Sequence, residues 1–194
     1  MKIVYFHGFG SSGTSGTVLL LARLLPEVEV KAPDIPVDPT EALPFLKSYC
    51  EAEKPDLIIG TSMGGMYAQQ MRGFKRICVN PAFNMSKLSK SLKTGEHVFF
   101  NRRRDNQKTF RVTKEIIQHF FQMERRQFDG IDDAEREICW GLFGINDTVV
   151  NGYDLFLKHY TKAVRFEGEH RLNEKVLKKT VIPLIKEILF QSGH

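Results

Sequence analysis

Short apolar runs alternate with amphipathic stretches along most of the chain. Lys2 to Phe6 (Lys-Ile-Val-Tyr-Phe), Val28 to Ala32, Leu57 to Ile59, Arg76 to Val79, Glu137 to Phe143 and Ala163 to Phe166 each read as a strand. Leu57, Ile58 and Ile59 form a short apolar run, as a buried parallel strand would. Between them, Thr17 to Leu25, Asp38 to about Glu53, Met66 to Met71, Thr113 to Phe128, Asn151 to Tyr160 and Asn173 to Phe190 carry helical patterning. Asp38-Pro39-Thr40-Glu41 has the order of a helix start: a cap, a proline in the first turn and an acid at the capping-box position. Pro183 predicts a kink in the last helix. Strands alternating with helices predict an α/β fold with about six mainly parallel strands and helices on both faces.

One region breaks the alternation. Residues 84–130 are polar and basic, with Asn101-Arg-Arg-Arg-Asp-Asn-Gln107 in the middle, and read as a small insertion, a cap or lid, within a single domain spanning 1–194. Arg102 to Arg104 are expected to form a solvated charged loop. A coenzyme A phosphate is the anionic group that they would otherwise meet.

Ligands of parallel α/β sheets bind at the carboxyl ends of the strands. The loops there begin with His7, Asp34, Ser62, Asn80, Asp147 and His170. Gly60-Thr-Ser-Met-Gly64 is a G-x-S-x-G sequence between a strand and a helix, the setting of a nucleophile elbow with Ser62 exposed at the turn. A serine hydroxyl needs a base to take its proton, and the base needs a carboxylate to fix its tautomer. Asp147 and His170 follow Ser62 in the order Ser, Asp, His, each past the end of a strand. The backbone N–H of Met63 and that of Phe9, in the loop after the first strand, are the expected oxyanion donors. His7 precedes Ser62 and is expected to organise that loop by hydrogen bonds rather than to act as the base. Asp34 either lines the pocket or closes a turn, and Asn80 is expected to join loops.

These residues carry a resemblance. Val4-Tyr-Phe-His-Gly-Phe9-x-Ser-Ser12, Gly60-Thr-Ser-Met-Gly-Gly65, Asn80-Pro81, Gly144-x-x-Asp147 and Gly168-x-His170 are similar to the α/β-hydrolase superfamily, and in particular to the compact YqiA-like bacterial esterases. The resemblance implies a triad of Ser62, Asp147 and His170, an oxyanion hole at Phe9 and Met63, and hydrolysis of a carboxylic ester or thioester without metal or organic cofactor. It says nothing about the substrate.

Two other function classes compete. Gly8, Gly10 and Gly13 form a G-x-G-x-x-G after the first strand, with Asp34 after the second, as in a dinucleotide-binding oxidoreductase. Against this, Thr14-Ser15-Gly16 delays the helix that should hold the pyrophosphate, and the Ser62, Asp147, His170 series is left without purpose. The other competitor is a non-catalytic ligand-binding protein on the same fold.

Composition changes the picture little. The 194 residues carry a formal net charge of +5, with 42% hydrophobic and 26% charged residues, which suits a globular domain. The positive excess invites anions, but no nucleic-acid-binding module is legible and no such partner is expected. Cys50, Cys78 and Cys139 form no C-x-x-C motif and read as buried inert thiols of a cytoplasmic protein. No signal-peptide pattern opens the chain, and no apolar run approaches the ~20 residues of a membrane span.

Overall fold

The computed structural model describes residues 1–88 and 92–190. Residues 89–91 of the expected insertion therefore lie outside the described residues. The elements in chain order are β1 (Lys2–Phe6), α1 (Gly16–Leu24), β2 (Glu29–Lys31), α2 (Pro39–Glu53), β3 (Leu57–Thr61), α3 (Met63–Ala68), β4 (Arg76–Val79), β5 (Gly95–Val98), β6 (Thr109–Val112), α4 (Lys114–Glu124), α5 (Asp133–Glu137), β7 (Cys139–Gly144), α6 (Tyr153–Leu157), β8 (Lys162–Phe166), α7 (Glu174–Val176) and α8 (Ile182–Phe190). Six strands form one sheet in the order β2-β1-β3-β4-β7-β8, and every pairing is parallel.

Alternate side chains of each strand enter opposite cores. Ile3, Tyr5, Leu57, Ile59, Ile77 and Val79 pack with Val18 and Leu21 of α1 and with Leu177 and Ile185 of the C-terminal helices. Val4, Phe6, Ile58 and Cys78 pack on the other side with Leu46 of α2, Met66 of α3, Phe120 of α4 and Phe156 of α6. Both faces of the sheet are covered, which is why its inner strands β1, β3, β4 and β7 are mostly buried and apolar, while the edge strands β2 and β8 carry exposed charged residues.

Local chemistry sets several helix ends. The Asp38 carboxylate caps α2 by accepting from the Thr40 amide, and Pro39 occupies the first turn. Thr113 caps α4 by accepting from the Ile116 amide. The C-terminal segment widens into a π turn over Leu177–Val181, directly before Pro183 in α8. A proline amide cannot donate to the carbonyl behind it, and the wide turn accommodates the break at the expected place.

Some expectations need correction. Glu137 ends a short helix, α5, rather than starting a strand. The helix expected over 113–128 stops at Glu124. The insertion is more ordered than its polarity suggested: β5 and β6 form an antiparallel hairpin outside the main sheet. Arg102 and Arg104 are exposed, as a solvated loop would have them, but Arg103 is not. Arg103 is buried, its guanidinium 4.6 Å from the Phe99 ring centroid, and it donates to the Ile35 carbonyl and to the Asp105 carboxylate. The Arg104 amide donates to the Asp34 carboxylate, and the Arg102 carbonyl accepts from the hydroxyls of Ser12 and Thr14. The run pins the insertion to the loops after β1 and β2. The Phe99 ring and the Ile35 carbonyl supply what water would otherwise give the Arg103 charge.

Candidate active site

Ser62 sits between β3 and α3 with φ 55° and ψ −120°, a conformation that costs a non-glycine residue of order 1–3 kcal/mol. The surrounding packing enforces it. A Cβ on Gly60 would lie 2.1 Å from the Gly64 carbonyl oxygen, and one on Gly64 would lie 2.1 Å from the Phe6 carbonyl oxygen. Only glycine lets the strand, the turn and β1 approach this closely. The Ser62 amide donates to the Val79 carbonyl, and the Ser62 carbonyl accepts from the Met66 and Ala82 amides. The turn is thus held from both sides while its hydroxyl stays free of the backbone.

That hydroxyl meets His170. Ser62 Oγ and His170 Nε2 are 3.0 Å apart, and His170 Nδ1 is 2.8 Å from Asp147 Oδ2. A carboxylate can only accept, so Nδ1 carries the proton and Nε2 accepts from the serine. The Asp147 side chain is 4% exposed. Its other oxygen accepts from the amides of Val149 and Val150 at 2.7 and 3.0 Å, so the carboxylate is both oriented and satisfied. The three residues come from the ends of β3, β7 and β8.

Asn80 ties these ends together. It has φ 43°, in the left-handed region that asparagine tolerates better than most residues. Its Nδ2 donates to the carbonyls of Glu169 and His170 at 3.0 and 3.1 Å, and its Oδ1 accepts from the Gly144 amide at 2.7 Å. One side chain therefore fixes the loop bearing His170 to the strand end that leads to Asp147, as expected of a residue that joins loops.

The loop after β1 is organised by His7, which is 2% exposed. Its Nδ1 donates to the Gly8 carbonyl at 2.8 Å, and its Nε2 accepts from the Ile35 amide at 3.0 Å. Both ring nitrogens are committed, so His7 is not available to Ser62. Burial, with the Arg103 guanidinium adding to it, lowers its pKa to about 4, while the Gly8 carbonyl and Asp34 pull the other way. The amides of Phe9 and Met63 have no protein acceptor among the described residues. Phe9 packs edge-on against Phe110 of the hairpin, with centroids 5.3 Å apart. The Phe100 amide donates to the Gly10 carbonyl at 2.7 Å, and Asn101 Nδ2 donates to Ser11 Oγ at 2.9 Å.

Asp34 neither lines the elbow nor waits for a ribose. Its carboxylate accepts from the Gly13 amide at 2.7 Å and from the Arg104 amide at 2.6 Å. The Gly13 N–H that a pyrophosphate would use is thus already taken. Among the described residues, no three His, Cys, Asp or Glu side chains are grouped to hold a metal ion. No described helix is long and apolar enough to cross a membrane.

Sequence reading missed the part that the hairpin plays in this site, and Asn101 and Arg103 with it. The signal was present but short: Phe110 and Val112 alternate with Thr109 and Arg111, and Phe99-Phe100 interrupt an otherwise polar stretch.

A six-stranded parallel sheet, a strained serine turn after β3 and loops converging from β7 and β8 define an α/β-hydrolase fold. Solved structures agree. Est1E from Butyrivibrio proteoclasticus superposes with a TM-score of 0.66 at 15% identity, covering 97% of this chain and 88% of that one. A structure of the metagenome-derived lipolytic enzymes LipS and LipT gives 0.66 at 15%, over 100% and 94%. A soluble variant of monoglyceride lipase from Saccharomyces cerevisiae gives 0.65 at 14%, over 98% and 86%. The chain belongs to the uncharacterised protein family UPF0227, whose model matches residues 2–181. No curated protein matches it.

Proposed function

We propose that this chain is a serine hydrolase that cleaves carboxylic esters or thioesters through an acyl-enzyme. The observation that carries the reading is the continuous hydrogen-bond path from Ser62 Oγ through His170 to Asp147, at 3.0 and 2.8 Å. His170 takes the Ser62 proton as Oγ attacks the acyl carbon. The Phe9 and Met63 amides, otherwise without acceptors, hold the oxyanion. Collapse expels the alcohol or thiol, protonated by His170, and leaves the acyl group on Ser62. Water, deprotonated by the same histidine, then releases the acid. The reading is supported by fold neighbours that are described as an esterase, lipolytic enzymes and a monoglyceride lipase.

The chain acts as one hydrolase domain, with the described residues of 84–130 as a fixed cap rather than a swinging lid. The bonds from Arg102 and Phe100 to the loop after β1, and from Arg104 to the loop after β2, support this. Three free, buried cysteines suit a reducing, cytoplasmic setting.

Labelling with a fluorophosphonate probe tests the reading. The wild-type protein should form a covalent adduct and Ser62→Ala should not. Equal labelling of both, or of neither, refutes it.

A further inference from the structure

A cavity of about 550 Å³ opens between α2, the segment following α3, and α4. Its volume lies in the range of small-molecule sites. None of Ser62, Asp147, His170, Phe9 or Met63 lines it. Leu43 and Met123 give it apolar walls, and Lys47, Arg72 and Arg126 give it positive charge.

That charge is not answered within the protein. The Arg72 guanidinium donates to the carbonyls of Gln69 and Gln127 and to the Tyr160 hydroxyl, all neutral acceptors. Lys47 and Arg126 stand exposed at the rim. Among the described residues, none of the three has a carboxylate partner. His119 also lines the cavity, but its ring faces the Asp38 carboxylate at 2.9 Å. Asp129 is the only acidic residue of the lining. Three permanent cations against one acid, on an apolar wall, form a surface complementary to an anion that carries an apolar body. Arg72, held by its neutral acceptors, supplies fixed positive field, while Lys47 and Arg126 keep their donors for a head group.

We propose that this cavity is a second small-molecule site, separate from Ser62, that takes an amphipathic carboxylate. The head lies at Lys47 and Arg126, in the field of Arg72, and the tail lies along Leu43 and Met123. The assignment does not depend on Ser62 being a nucleophile.

The six methionines provide the test, because Met123 lines the cavity and Met63 adjoins Ser62. Protein labelled with ¹³C at the methionine methyls is titrated with octanoate, with octan-1-ol and with inorganic phosphate. Octanoate should shift Met123 saturably and leave Met63 unmoved. The tail-only and head-only probes should bind at least tenfold more weakly. Lys47→Ala/Arg126→Ala, which alters two exposed side chains, should weaken octanoate at least tenfold, while Ser62→Ala should bind it as the wild type does. No saturable Met123 shift, a shift of Met63 in its place, equal binding of octanol, or undiminished binding by the double variant would each overturn the proposal.

Discussion

Protonation of His7 should destabilise this protein, and the size of the effect can be worked out. The neutral ring donates from Nδ1 to Gly8 and accepts at Nε2 from Ile35. A second ring proton would set Nε2–H against the Ile35 N–H, in a site that excludes water. The folded pKa of about 4, against an ordinary 6.5, means that the unfolded chain binds the proton first as pH falls. The contribution is therefore fully present above about pH 6.5, is lost progressively toward pH 4, and changes little below that. A difference of roughly 2.5 units corresponds to about 3 kcal/mol, a large part of the stability of an ordinary domain. Other groups titrate in the same window, so the measurement is a comparison. Urea unfolding of the wild type and of His7→Gln is followed at intervals from pH 7.5 to 4. Glutamine keeps an acceptor for the Ile35 amide and has no ring to protonate. His7→Gln should be the less stable protein at pH 7.5, and the gap should close by about 3 kcal/mol by pH 4. A gap that stays constant across this range would refute the reasoning.

Two further outcomes follow from the geometry of the loops. Gly64→Ala would force a methyl group against the Phe6 carbonyl; we expect a loss of about 3 kcal/mol or more in urea unfolding, together with loss of probe labelling at Ser62. Asn80→Ala leaves the Gly144 amide and the Glu169 and His170 carbonyls without their partner; we expect about 2–4 kcal/mol of destabilisation and at least a tenfold fall in kcat for a p-nitrophenyl ester, with KM nearly unchanged, because the variant disturbs His170 rather than a substrate contact.

The inner strands of the main sheet were legible because burial on both faces leaves them largely apolar, and the edge strands β2 and β8 were legible as short stretches that mix apolar and charged residues. The residues of the elbow and its two distant partners were legible because each lies just past one of these strands. Other features were hidden for definable reasons. The strands β5 and β6 are four residues each, and Val98 is 68% exposed, so neither a long alternation nor a burial pattern marks the hairpin. The start of α3 at Met63 is masked by Gly64 and Gly65, poor helix formers kept there by close packing rather than propensity. Arg103 reads as surface because charge runs usually are; the aromatic ring that receives it lies four residues earlier. Distances such as that between Ser62 and His170 depend on how loops 108 residues apart meet, and no local pattern encodes that.

The bonds that join the loops after β1 and β2 to Arg102 and Arg104 have a consequence for how the molecule is made. Ser12 waits for a carbonyl 90 residues further along the chain, and Asp34 for an amide 70 residues on. A ribosome that has finished the first four strands has produced a nearly apolar sheet with its first loop still unfastened. Contacts this distant in sequence form late and slowly. The Ser62–His170 contact, across 108 residues, closes later still. Shortened chains that end before His170 therefore carry the strained serine turn without its partner, and serine-directed labelling of nascent chains would report the arrival of His170 rather than the presence of the turn.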